Sequence, residues 1–238
     1  MRVSNPFAPP RRGEAGLRVT ECRACQRLVE WRERQAGCVP PRFAAWVAEH
    51  GFWARPVAAF GDPAAWLVIV GLAPAAQGAN RTGRMFTGDR SGEFLWAALH
   101  RAGVANLPSS DHRGDGLVLD GVLITAPLRC APPGNRPTAA ELDRCRAFMR
   151  ADLAACRRLR VVLALGRVAH ESVLRLLREQ GTPAGDGAGF RHGAVHVLPG
   201  GVRLVDSYHV SQQNTFTGRL TGAMFDEVLR RCHDVASG

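Results

Sequence analysis

Lysine occurs nowhere in this chain of 238 residues, so all 31 basic side chains are arginines. Without lysine, no side-chain amine is present that can form a Schiff base with a carbonyl group. The absence also excludes a nucleotide-binding P-loop, because that loop needs a lysine to reach the phosphates of a triphosphate.

Long apolar runs are missing as well. No stretch approaches the roughly 18 consecutive apolar residues that span a bilayer. The N-terminal sequence MRVSNPFAPPRRGEAG has no apolar segment of the kind found in secretory signals. We therefore expect a cytoplasmic protein with no membrane partner. Its length fits one domain over residues 19–238, preceded by a flexible basic arm over residues 1–18.

Acidic residues are too few to balance the arginines. There are 21 acidic residues, which leaves a formal charge of +10. A codon bias can explain why arginine replaces lysine, but it does not explain the excess of positive charge. A strongly basic domain is typical of proteins that bind polyanions, and nucleic acid is the first candidate.

Four apolar segments of strand length alternate with segments of helical periodicity. The strand-like segments are AAWLVIVG, DGVLITAPL, RVVLALG and VRLVDSYH. This alternation predicts an α/β domain with a central, mostly parallel four-stranded sheet. Such a domain binds its ligand at the carboxyl ends of its strands. Three conspicuous segments come directly after predicted strands, at residues 71–89, 125–137 and 209–221.

The cysteines suggest a metal site. Cys22 and Cys25 are separated by two residues, and Cys130 and Cys145 by fourteen. Four thiolates can hold either zinc or an iron–sulfur cluster. Uneven spacing favours a cluster slightly, without deciding between the two. Cysteines also pack as small apolar residues, and we interpret the other three in this way: Cys38, Cys156 and Cys232.

Three long motifs are more specific than these patterns. GLAPAAQGANRTGRMFTGDRSG begins at Gly71, RCAPPGNRPTAAELDRC at Arg129 and HVSQQNTFTGRLT at His209. Together they resemble the type b, or family 5, uracil-DNA glycosylases, over nearly the whole chain. The resemblance implies a three-layer α/β/α fold and hydrolysis of the N-glycosidic bond of uracil in DNA. It also implies a monomer without a nucleotide cofactor, carrying a structural 4Fe-4S cluster on Cys22, Cys25, Cys130 and Cys145.

The resemblance also implies roles for the motif residues. A glycosylase takes its target base out of the stack. Phe86 is expected to stack on that base, and His209 to donate a hydrogen bond to the base oxygen as the bond breaks. The loop over residues 211–217 is expected to press into the DNA, and its candidate contacts are Ser211, Gln212, Gln213 and Asn214. The remaining base- and DNA-binding candidates are Gly71, Ala73, Pro74, Arg81 and Arg84.

The group that orients the attacking water is left open. Related families place a carboxylate or an asparagine where this chain has Leu72 and Ala73. We consider Gln77 and Asn80 as catalytic candidates, and Asp89 as a further one. An unassisted water is the alternative, because the sugar cation that develops is a good electrophile.

The substrate range is expected to be broad. Some relatives read uracil with an asparagine near Thr125 and Ala126, and this chain has no amide there. A missing polar reader loosens discrimination, so hypoxanthine and xanthine join uracil as expected substrates.

The lysine-free composition has a consequence for this reaction. Glycosylases that also cut the strand use an amine. Unless the N-terminal amine serves, we expect a monofunctional enzyme that leaves an intact abasic site. Two other readings stay open. One is a non-catalytic, metal-stabilised DNA-binding domain, and the other is a redox or nucleotide-binding α/β protein.

Overall fold

The computed structural model describes residues 3–9, 18–181 and 189–237. Its strands are β1 (Phe60–Gly61), β2 (Leu67–Val70), β3 (Val122–Thr125), β4 (Val161–Leu165), β5 (Val195–Val197) and β6 (Arg203–Ser207). Its α-helices are α1 (Gln26–Arg34), α2 (Ala44–His50), α3 (Ala79–Thr82), α4 (Arg90–Arg101), α5 (Ala139–Ala155), α6 (Arg167–Glu179), α7 (Gln212–Phe216) and α8 (Gly222–Ser237).

The strands form one sheet in the order β1-β3-β2-β4-β6-β5. The inner four are parallel, as their runs of Val, Leu and Ile predict. The sheet has six strands rather than the predicted four, because β1 and β5 add antiparallel pairs at the two edges. These edge strands have two and three residues, too few to produce a recognisable pattern.

The sheet lies between two layers of helices, which confirms the three-layer α/β/α architecture. Neighbouring strand residues point to opposite faces of the sheet. Leu67 and Ile69 pack in one core with residues of α4 and α8. Val68 and Val70 pack in a second core with residues of α5 and α6.

The N-terminal residues differ from the predicted arm. Phe7 is only 4% exposed and belongs to the core beneath α5 and α6. The Asn5 side-chain amide donates to the carbonyls of Leu153 and Cys156, at 2.8 and 3.1 Å. Residues 3–9 are therefore packed on the domain. Residues 10–17 of the predicted arm lie outside the described residues.

The helices follow ordinary capping rules. Thr138 and Glu141 form a capping box at the start of α5, and this places Cys145 in the second turn of the helix. Among the residues that the structure describes, every helix is too short or too polar to cross a membrane.

Candidate active site and cysteine cluster

The loops after the parallel strands meet at one edge of the sheet. We call the group formed by Gly71, Phe86, Thr125 and His209 the strand-end site. The Gly71 amide donates to the carbonyl of Thr125 at 2.8 Å, joining the ends of β2 and β3. The rings of Phe86 and His209 have centroids 6.3 Å apart and planes inclined by 33°. The structure thus brings together Gly71, Phe86 and His209, which are far apart in the sequence.

Phe86 is held in an unusual backbone conformation. Its φ is +51°, a region that large side chains seldom occupy. The Trp96 indole donates to the Phe86 carbonyl at 2.6 Å. A Cβ on Gly92 would lie 1.9 Å from that carbonyl oxygen, and one on Gly71 would lie 2.8 Å from the Phe86 ring. Helix α4 therefore fixes the Phe86 backbone, and Gly71 makes room for the ring. Sequence reasoning missed Gly92 and Trp96.

His209 follows β6 and faces the end of β4. A Cβ on Gly166 would lie 3.4 Å from the His209 Cβ. Burial lowers the pKa of His209 from its ordinary value of 6.5 to about 4. Within the described residues, the imidazole makes no hydrogen bond, while its backbone carbonyl accepts one from Asn214 at 2.8 Å. His209 is therefore a neutral imidazole with its ring N–H available to a ligand.

Asn80 and Gln77 are engaged with other parts of the protein. Asn80 is fully buried, and its amide donates to the carbonyl of Arg32 on α1 at 3.1 Å. The Gln77 amide donates to the carbonyl of Cys38 at 3.3 Å. The predicted catalytic role of Asn80 does not fit this geometry, because the side chain is completely buried where it joins the first motif to α1.

Asp89 is the remaining candidate for the water. It caps α4 by accepting the amide of Gly92 at 3.0 Å. Its second carboxylate oxygen lies 2.1 Å from where a Cβ on Gly78 would be, so only glycine fits there. Burial raises the pKa of Asp89, and the amides of Gly92 and Ser91 oppose that effect. The carboxylate is thus half-buried between the first motif and α4.

Arg81 and Arg84 are internal, so the prediction that they contact DNA phosphates is wrong. They are 3% and 4% exposed. The Arg81 guanidinium lies between the rings of Phe43 and Trp46, at 4.1 and 4.3 Å from their centroids. Arg84 forms an ion pair with Asp115 at 2.7 Å. Both side chains brace the loop that carries Phe86.

The second motif forms a projecting segment around α7. Gln212 and Gln213 are exposed, whereas the Asn214 side-chain amide donates to the His209 carbonyl. Phe216 is 68% exposed, and the guanidinium of Arg90 lies 5.6 Å from its ring centroid. Phe216 lies within the loop predicted to press into the DNA, but it was not singled out, although an aromatic residue in a polar loop was a usable signal.

The four predicted cysteine ligands line one small cavity. Cys22 and Cys25 precede α1, Cys130 follows β3 and Cys145 lies on α5. Among the described residues, no three metal-binding atoms here lie within 4.8 Å of one another. Thiolates around one zinc ion, each about 2.3 Å from the metal, stand roughly 3.8 Å apart. As they stand, these thiols are not gathered tightly enough for a single zinc ion.

The surroundings of this cavity are apolar apart from three arginines, of which two are buried. Leu28 and Leu128 pack with Cys130 and Cys145, and Ala73 of the first motif covers this cluster. Pro74 beside it is buried. The buried arginines are Arg32 and Arg129, which are 2% and 1% exposed. Burial raises the pKa of Cys145 to about 12, against the opposing charge of Arg129.

Of the three remaining cysteines, two are buried as predicted and one is not. Cys156 and Cys232 are fully buried in the two main cores, as expected. Cys38 is exposed, so its interpretation as a small core residue is wrong. Its carbonyl, rather than its thiol, makes the contact with Gln77.

Comparisons with known proteins agree with this geometry. The uracil DNA glycosylase superfamily profile matches residues 58–232. A type-5 uracil-DNA glycosylase of Mycobacterium leprae is 50% identical over 224 residues, covering 94% of this chain and 95% of that protein. The type-5 enzyme of Thermus thermophilus is 50% identical over 220 residues, covering 92% and 95%. That of Pyrobaculum aerophilum is 45% identical over 216 residues, covering 90% and 88%. The chain therefore belongs to the uracil DNA glycosylase superfamily.

Proposed function

We propose that this protein hydrolyses the N-glycosidic bond of uracil and other deaminated bases in DNA. The convergence of Phe86, Gly71 and a buried, neutral His209 at the sheet edge carries the proposal. A charge of +10 suits a protein that must hold DNA while the base leaves the stack.

Phe86 and His209 make different contacts with the base. The base stacks on Phe86, whose ring is fixed by its clamped backbone. Negative charge develops on the base oxygen as the bond to the sugar breaks. The neutral His209 ring donates its N–H to that oxygen, and burial strengthens this interaction. Losing such a donor typically costs a factor of about 10² to 10³ in rate.

Asp89 orients the attacking water in this proposal. Its carboxylate keeps acceptor capacity beyond the bonds that it accepts from the amides of Gly92 and Ser91. An ionised carboxylate also offsets the positive charge that develops on the sugar. Asn80 is completely buried and belongs to the packing against α1, so it is a poorer candidate for a group that meets a water molecule.

The substrate range follows from the end of β3. The Thr125 hydroxyl donates to Asp152 at 2.6 Å, and the next residue is the buried Ala126. No side-chain amide is offered to the base at this point. We therefore propose that uracil, hypoxanthine and xanthine are all released, at different rates.

We propose that the enzyme is monofunctional, because it has no lysine for a Schiff base. A covalent adduct trapped with borohydride would contradict this. The seven cysteines are free thiols in the structure, which suits the reducing cytoplasm as its location. The proposed mechanism needs one chain only, so sedimentation should show a monomer.

We also propose that Cys22, Cys25, Cys130 and Cys145 hold a 4Fe-4S cluster. Their position around one cavity and the two buried arginines beside it support this assignment. The cluster's contribution is structural, because it would join the segment before α1 to the strand β3 and to helix α5. Ala73 lies against this region, so the cluster would also support the first motif.

A non-catalytic DNA-binding domain is the competing function. It would account for the charge and the cysteines. It would not account for the strained Phe86 backbone or for a desolvated imidazole that has no hydrogen-bond partner among the described residues.

Base release decides between the two functions. Purified protein is incubated with labelled duplexes containing uracil, hypoxanthine, xanthine or only normal bases, and abasic sites are cleaved with alkali. We expect alkali-dependent cleavage of the damaged duplexes, reduced by about 10² to 10³ in the His209→Ala variant. The exposed His233→Ala is the matched control. No release from any deaminated base, with the metal intact, would leave only the binding function. Strict uracil-only release would overturn the proposed range.

A further inference from the structure

Arg32 is a buried cation that lacks a close counter-charge. Its side chain is 2% exposed. The Arg32 guanidinium donates to the Cys22 carbonyl at 3.2 Å and to the Cys130 sulfur at 2.9 Å. Glu33 lies 3.8 Å away, but it is half-exposed and already paired with Arg23. A buried charge whose ion-pair partner is distant and shared with another arginine is poorly compensated, so this position calls for an anion.

Arg129 stands beside the same cavity with donors to spare. Its guanidinium is paired with Asp152, which also accepts the hydroxyl of Thr125. Its backbone amide donates to the Cys145 sulfur at 3.3 Å. Within the described residues, its Nε and Nη1 atoms are buried without a partner, as is the Nε atom of Arg32. Buried N–H groups rarely stay unpaired in folded proteins.

We propose that Arg32 and Arg129 are positioning residues for the cysteine-held cluster, an inference that rests on the proposed 4Fe-4S cofactor. Four thiolates make such a cluster anionic, and its sulfur atoms accept hydrogen bonds. Arg32 supplies the uncompensated positive charge, and the unpaired N–H groups of both arginines supply donors. Because Arg129 already has Asp152 as its counter-charge, Arg32 has the larger effect.

The two arginines also connect the cysteine cavity to the strand-end site. The Arg32 carbonyl accepts from Asn80, which belongs to the first motif. Asp152 joins Arg129 to Thr125, whose carbonyl binds Gly71. Neither arginine therefore needs to touch the base or the DNA for its loss to alter the site.

The test compares Arg32→Met, Arg32→Lys and Arg129→Gln with the wild-type holoprotein. Arg144→Gln is the matched control, since Arg144 lines the same cavity but is exposed. Two quantities are measured: the rate at which a chelator removes the visible absorption of the cluster, and its midpoint potential. Residues that support metal ligands typically change metal affinity by about 10- to 100-fold.

We expect Arg32→Met to lose the cluster roughly 10 to 100 times faster than the wild type. Its midpoint potential should be more negative, because the variant lacks the positive charge and the hydrogen-bond donors that stabilise the reduced cluster in the wild type. Arg32→Lys should lie between the two, Arg129→Gln should change less, and Arg144→Gln should match the wild type. A packing role alone would speed cluster loss without moving the potential. If Arg32→Met does not fold, Arg32→Gln serves in its place.

Iron and acid-labile sulfide in the wild type are measured first. Their absence would overturn the proposed cofactor, and this inference with it. If the cluster is present but the Arg32 variants keep the wild-type potential and rate of loss, only the inference fails.

Discussion

Desolvation of His209 makes a quantitative prediction about stability. Its pKa falls from 6.5 to about 4 on folding, so the folded protein disfavours the charged imidazole. Between these pH values the unfolded chain binds more protons than the folded one, and stability therefore rises with pH. Above about pH 6.5 the full stability is present. It is lost progressively as the pH falls, by about 3 kcal/mol in total below pH 4.

Most of this loss can be measured without strong acid. Between about pH 7.5 and pH 5, the unfavourable contribution of His209 grows by about 2 kcal/mol. The assay is urea unfolding followed by tryptophan fluorescence at both pH values. Wild type should lose about 2 kcal/mol more of its unfolding free energy than His209→Asn, which has no ring to charge.

Comparing the wild type with His209→Asn separates the effect of His209 from that of the other histidines, because those are present in both proteins. His233→Asn controls for exchanging histidine at an exposed position. Parallel stability curves for wild type and His209→Asn would refute the reasoning, because they would mean that folding does not desolvate the imidazole. Base release should also show no loss of activity from deprotonation of His209 between pH 6 and 8, since the ring is already neutral there.

Three further predictions concern the site. Asp89→Asn should keep the cap of α4 and the melting temperature of the protein, but it should lower the rate of base release at least about tenfold. Asp89→Ala should in addition lose about 1 kcal/mol of stability. Full activity in Asp89→Asn would exclude Asp89 as the partner of the water. Gly71→Ala places a Cβ 2.8 Å from the Phe86 ring and should impair base release, while Gly37→Ala, with nothing within 4 Å, should not. Phe216→Ala should leave stability unchanged but raise KM for duplex DNA roughly tenfold, as expected of an aromatic residue that contacts bases; equal KM values for variant and wild type would remove Phe216 from the DNA contact.

Features set by short stretches of sequence were predictable. The parallel strands are apolar runs, and the carboxyl ends of such strands meet at one edge of a sheet. That rule and the long motifs predicted that Phe86 and His209 belong to the same site at this edge. The capping box at Thr138 needs only residues that are three apart.

The positions and partners of long polar side chains were not predictable. Arg81 and Arg84 look like phosphate contacts in a glycine-rich loop, yet aromatic rings and Asp115 from other segments enclose them. The brief edge strands also form only because a neighbouring strand is present to pair with.

The sequence by itself determined the α/β class, the absence of a lysine that could form a Schiff base, and the residues at the strand ends. Each of these depends on composition or on a local pattern. Only the tertiary structure decided which arginines are buried and what they bind. Arg32 contacts Cys130 across 98 residues of chain, and nothing near Arg32 in the sequence signals that contact. Burial is a property of the whole fold, so the charge that the cysteine cavity requires appears only when both segments are in place.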